Sequence, residues 1–151
     1  MMSLATLHDI LDVLRRRRAH CNDLLELSRQ QNRIINASDY SSLLGVLGQK
    51  QRILGRLDEI KRRYPELGRQ WTALRESGPP SVRQDCQAVI SETESILSEL
   101  LQTEKDGAEQ LQDRRDETRR QLESIAEGVH VNDVYRDNVA PFSHRFIDVN
   151  R

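Results

Sequence analysis

The longest stretch of this chain without Asp, Glu, Lys or Arg is ten residues, Tyr40 to Gln49. A bilayer span needs roughly 20 apolar residues, so no transmembrane helix and no membrane insertion are expected. Cysteine is equally scarce: Cys21 and Cys86 stand alone, with no CxxC and no histidine at ligand spacing. Two small buried thiols behaving as hydrophobes are expected in place of a disulfide framework or a zinc site. Neither sign of charge is in excess. The 23 Lys+Arg against 24 Asp+Glu leave a net charge of -1, which offers no global attraction for nucleic acid or anionic lipid. Hydrophobic residues make up only 36% of the 151, and aromatics 4%. One domain with a thin core, built of extended helices, fits that composition better than a compact globule.

Enzyme signatures are missing as well. The chain has no GxGxxG, no Walker A motif, no GxSxG and no HExxH, and His8, His20, His130 and His144 are scattered. His8 and Asp12 lie one helical turn apart but supply only two ligands, too few for a structural metal site. His20 and Cys21, adjacent in sequence, point about 100° apart on a helix and cannot form a nucleophile and base pair with each other. The expectation is a chain that is not an enzyme and needs neither metal nor cofactor. Met1-Met2-Ser3-Leu4 carries no basic segment followed by an apolar core, so the default location is the cytoplasm.

What is present is helical periodicity cut by turn chemistry. Ser3 as N-cap opens a helix over about 4–36, with Leu4, Leu7, Leu11, Leu14, Cys21, Leu25 and Ile35 on one nearly heptad seam. Arg18, Ser28 and Asn32 interrupt that seam. Asn36-Ala37-Ser38-Asp39 is a short link with a capping residue, and helix 39–76 should fold back antiparallel. Its expected seam is Tyr40, Leu43, Leu44, Leu47, Leu54, Leu57, Ile60 and Tyr64. Pro65 removes a backbone donor, so the helix either kinks there or restarts with Pro65 at its first position. Ser77-Gly78-Pro79-Pro80 ends it. Ser81 with Gln84 matches a capping box for a third helix over about 82–127, roughly 70 Å long at 1.5 Å per residue. Its stripe of Val82, Cys86, Val89, Ile96, Leu100, Leu111, Leu122 and Ile125 is poorly filled, because Glu104, Gly107 and Arg115 fall near it. The expected fold is all-α: an elongated antiparallel bundle of three long helices over 1–128, with a short C-terminal element.

Residues 129–151 differ in holding Tyr135, Phe142 and Phe146, half of the chain's six aromatics. Asn132 could cap a short helix with Val131, Val134, Tyr135 and Val139 on one face, ended by Pro141. This tail either folds back on the bundle or docks a partner. On the second reading the binding surface is Leu111, Leu122 and Ile125 continuing into Val134, Tyr135, Val139, Phe142 and Phe146, because apolar side chains there outnumber the available intramolecular neighbours and aromatic anchors carry much interface energy. The run Arg15-Arg16-Arg17-Arg18 spreads around a helix instead of forming one patch. With 20 Arg and three Lys in the chain, a structural role is expected, stems covering apolar surface while heads reach carboxylates.

The segment Leu24-Leu25-Glu26 through Asn36-Ala37-Ser38-Asp39-Tyr40-Ser41-Ser42-Leu43-Leu44, then Leu47-Gly48-Gln49-Lys50-Gln51-Arg52-Ile53-Leu54, resembles the FlgN-type flagellar export chaperones. In that family two long helices meet at a short link of aspartate followed by an aromatic residue or leucine, and a leucine-spaced stretch carrying a lysine follows. The resemblance is clearest over 10–65, and Val134-Tyr135 with Phe142 is similar to the family's tyrosine-containing C-terminal segment. It implies a cytoplasmic type III export chaperone that holds the C-terminal helices of hook–filament junction proteins and delivers them to the export gate, with Tyr135 the residue presented to the gate or to the client. A monomer or weak homodimer is expected, with no nucleic acid bound. The alternative from residue pattern alone is a structural coiled-coil oligomerisation or adaptor module, whose stripes a second copy would fill.

Overall fold

The computed structural model describes the backbone of residues 4–136 and the side chains of residues 6–129. The described residues form four helices and no strand: α1 Leu4–Asn36, α2 Tyr40–Arg63, α3 Leu67–Ser77 and α4 Pro80–Arg136. The all-helical class is as expected. The chain divides into two units, 1–108 and 109–151.

In the first unit α1 is the element every other helix touches. Leu7, Leu11, Leu14, Cys21, Leu25 and Ile35 of its expected seam are all buried. A second row, Ile10, Val13, Leu24 and Gln31, is buried beside it, so at 100° per residue the covered arc spans about 160°. Near the start of α1, Leu7, Ile10, Leu11 and Leu14 cluster with Leu74 of α3 and Cys86 and Val89 of α4, and Leu67 and Trp71 pack against the cluster. Both cysteines are free and buried. Burial pushes each thiol up, against smaller opposing effects of Arg17 at Cys21 and Arg15 at Cys86.

Helix α1 ends in a Schellman motif. The Asp39 N–H donates to the Ile34 carbonyl and the Ser38 N–H to the Ile35 carbonyl, both at 3.1 Å, with Ser38 at φ 56°, the left-handed conformation this motif requires. Asp39 is the N-cap of α2, as expected, but its side chain makes no capping bond to the backbone. It accepts from the hydroxyls of Ser42 (2.5 Å) and Ser41 (2.9 Å), and these bonds, Ser42's first, hold its carboxyl below the usual range.

Pro65 resolves to a restart two residues beyond its own position. Tyr64, disfavoured from helical geometry by the proline that follows, sits at φ -125° and ψ 63°, and α3 begins at Leu67 with Glu66 as N-cap. The second long helix is therefore two. At the end of α3 the Gly78 N–H donates to the Leu74 carbonyl at 2.7 Å, and a Cβ on Gly78 would strike the Leu74 side chain and lie 2.5 Å from that carbonyl. The expected capping box at Ser81 is displaced: α4 starts at Pro80, where a proline at the first helical position gives up only a donor that has no intrahelical acceptor. The Arg83 N–H reaches back to Pro79 at 3.0 Å.

Helix α4 does not stop near 127. It continues through Gly128 to Arg136, so Asn132 opens no separate helix and Val134 and Tyr135 belong to α4. The first unit ends at Ala108. Gly107 is buried, whereas no residue from Glu109 to Val129 is. Residues 137–151, with Val139, Phe142 and Phe146, lie outside the described residues.

Candidate functional site

Ser28 and Asn32, which interrupt the seam of α1, meet Glu104 and Gly107, which interrupt that of α4. Arg18 of α1 pairs with Glu92 of α4 at 2.7 Å. Ser28, fully buried, donates to Glu104, and the Asn32 amide donates to the Thr103 carbonyl at 2.9 Å. Gly107 lets α4 pass close to Asn32, whose Oδ1 occupies the space a Cβ would need. From α2, Lys50 enters the same layer, donating to the same Glu104 oxygen as Ser28 and to Gln31 Oε1 at 2.9 Å. Burial raises the Glu104 carboxyl, but hydrogen bonds from Lys50 and Ser28 and the ammonium charge outweigh it, and the net direction is down. The incomplete stripe of α4 up to Gly107 is thus completed by α1 and α2, and needs no outside partner there.

The arginine run behaves as expected of a helix circumference. Arg16 reaches Tyr64, donating to its hydroxyl at 3.3 Å and lying 5.9 Å from the ring centroid, while Arg18 turns to Glu92.

Helix α2 departs from the sequence reading. Its buried residues are Val46, Ile53 and Ile60, one heptad apart, and of the expected seam only Ile60 is among them. Tyr40 (46% exposed), Leu44 (76%), Leu47 (40%) and Leu54 (46%) face away from the core. The two rows are centred about 140° apart on the helix. The sequence places this row in the seam because apolar spacing does not say which of two apolar faces meets α1. The missed signal was the heptad of β-branched residues, which suits close packing. On the other flank of α2, Arg52, Arg56, Gln49 and Ile53 face Asp23, Glu26 and Leu27 of α1 across a shallow groove of about 360 Å³.

In the second unit Leu111 is 44% and Ile125 62% exposed, and Leu122 is half-buried. Val134 and Tyr135 are placed in α4 by backbone alone. Among the described residues no three His, Cys, Asp or Glu side chains could hold a metal ion, and no helix is long and apolar enough to cross a membrane.

Fold and surface define an all-helical chain whose described side chains offer apolar rows and a buried polar layer. No family model matches it, and neither a curated protein nor a solved structure does.

Proposed function

We propose that this chain is a cytoplasmic, non-enzymatic carrier of helical segments from other proteins, a flagellar type III export chaperone of the FlgN type. On this reading its long helices pack as an antiparallel bundle, and it binds the C-terminal helices of hook–filament junction subunits through Leu111, Leu122, Ile125, Val134, Tyr135, Val139, Phe142 and Phe146. The observation that carries the proposal is the exposure of Leu111 and Ile125 on a stretch, Glu109 to Val129, with no buried residue. An amphipathic client helix laid on such a row covers apolar surface that is otherwise wet. Ordering a disordered client offsets part of the gain, which suits release before export.

Deleting residues 129–151 tests the site. The expected result is a circular dichroism spectrum of nearly unchanged helical amplitude and loss of capture of a junction subunit's C-terminal helix. Normal capture by the shortened protein refutes the site, and unfolding assigns the tail a structural role instead. The unbroken 57-residue length of α4 favours one other reading, a coiled-coil oligomerisation module. A concentration-independent dimer or tetramer in light scattering is its signature.

A further inference from the structure

A second interaction surface lies on α2, in the first unit. Tyr40, Leu44, Leu47 and Leu54 each keep 40–76% of their surface exposed. They fall within an arc of about 80° and run for about 21 Å, the footprint of a helix of four turns. Gly48 and Gly55 adjoin the row, and nothing comes within 4 Å of where their Cβ atoms would stand. Each costs an exposed helix roughly 0.5–1 kcal/mol relative to alanine, with no contact in the described chain to offset it. Close approach by another backbone is what a glycine beside a leucine row accommodates.

Charge selects the occupant. Both carboxylates of α2 have partners on their own helix, Asp58 with Arg62 at 3.3 Å and Glu59 with Arg63 at 4.0 Å. Lys61 has no ion-pair partner among the described residues, and Arg52, which faces Asp23 and Glu26 of α1 across the groove, is paired with neither. Arg52 is one turn from both glycines, and Lys61 lies toward the other edge of the row. Helix α2 carries Lys50, Arg52, Arg56, Lys61, Arg62 and Arg63 against Asp58 and Glu59. Two copies of this face would repel; an acidic helix would be drawn to it.

We propose that the Tyr40, Leu44, Leu47 and Leu54 face of α2 docks an amphipathic helix of a partner protein whose apolar row is flanked by carboxylates. The proposal rests on the reading of this chain as a carrier of other proteins' helices, but on a surface separate from the one tested by deleting 129–151.

The probes are two synthetic helical peptides of about 20 residues, with one leucine row and either Glu or Lys at the flanking positions. Titration of the labelled peptides with the full chain, read by fluorescence anisotropy, should show the Glu peptide binding at least tenfold more tightly than the Lys peptide at low salt, with the gap narrowing as salt rises. Leu47→Glu with Leu54→Glu should weaken the Glu peptide roughly thirtyfold or more, with unchanged circular dichroism because both side chains point to solvent. Arg52→Glu with Lys61→Glu should reverse the preference while leaving the leucine row in place. Equal binding of the two peptides, binding by neither, or full affinity in the Leu47 and Leu54 variant each overturns the proposal. A sedimentation dimer of the unmodified chain that the leucine variant dissolves also overturns it, since the occupant is then a second copy. Loss of client capture on deleting 129–151 with peptide binding intact leaves this surface standing; the converse leaves the carrier reading standing without it.

Discussion

Replacing Lys50 with methionine tests whether the polar layer holds three helices together. The Lys50 side chain is 13% exposed and that of Glu104 39%. Methionine keeps most of the apolar stem but removes both hydrogen bonds, to Glu104 and to Gln31. Hydrogen bonds to a charged group contribute about 1.5–3 kcal/mol each, and stripping one partner from a buried ion pair costs about 3–5 kcal/mol. Water reaches the Glu104 carboxylate from its exposed side, which reduces the penalty, so the expected loss is about 2 kcal/mol, or about 8 °C in Tm for a chain of this size. Urea denaturation followed by circular dichroism measures it. Combining Lys50→Met with Glu104→Leu should recover part of the loss, because the apolar pair leaves no stranded charge but takes the acceptor from the buried Ser28 hydroxyl. The direction of the Glu104 shift adds a pH signature. Its carboxyl titrates below the ordinary 4.5, so the unfolded chain takes up the proton first as pH falls. The stabilisation is complete above about 4.5 and is lost as pH drops through the lower native value. The gap between wild type and Lys50→Met should therefore close on acidification. A loss under about 0.5 kcal/mol, or a double variant equal to the sum of its parts, would refute the reasoning.

Ser38→Gly should stabilise the chain by about 0.5–1 kcal/mol in the same urea assay, since glycine accepts the φ of 56° that serine holds at a cost. Gly78→Ala should destabilise by about 1–3 kcal/mol, because the added methyl meets the Leu74 side chain and its carbonyl, which is anchored in α3. Native protein should react with a thiol-specific disulfide reagent only slowly at pH 8, and both cysteines should react at once in urea, since burial raises each thiol and blocks access.

The all-helical class, the link at Asn36 to Asp39 and the stop at Gly78 were legible in the residues themselves, because turn chemistry acts locally. So was the seam of α1, which its neighbours bury from Leu7 to Ile35. Two local rules competed at Pro79, Pro80 and Ser81, and the proline's fit to the first helical position won over the capping box. Gly128 is a weak breaker without a proline behind it, and α4 runs through it. Chain order alone could not reveal that Ser28 and Lys50 converge on Glu104, or that Asn32 fills the gap beside Gly107. Read singly, Ser28, Asn32, Glu104 and Gly107 looked like defects in apolar stripes; together Ser28, Lys50 and Glu104 satisfy one another, since polar groups brought to one level of a bundle exchange water for each other. The choice between the two faces of α2 was likewise tertiary. Local spacing made both apolar, and only packing against α1 buried Val46, Ile53 and Ile60 while leaving the leucine row outside.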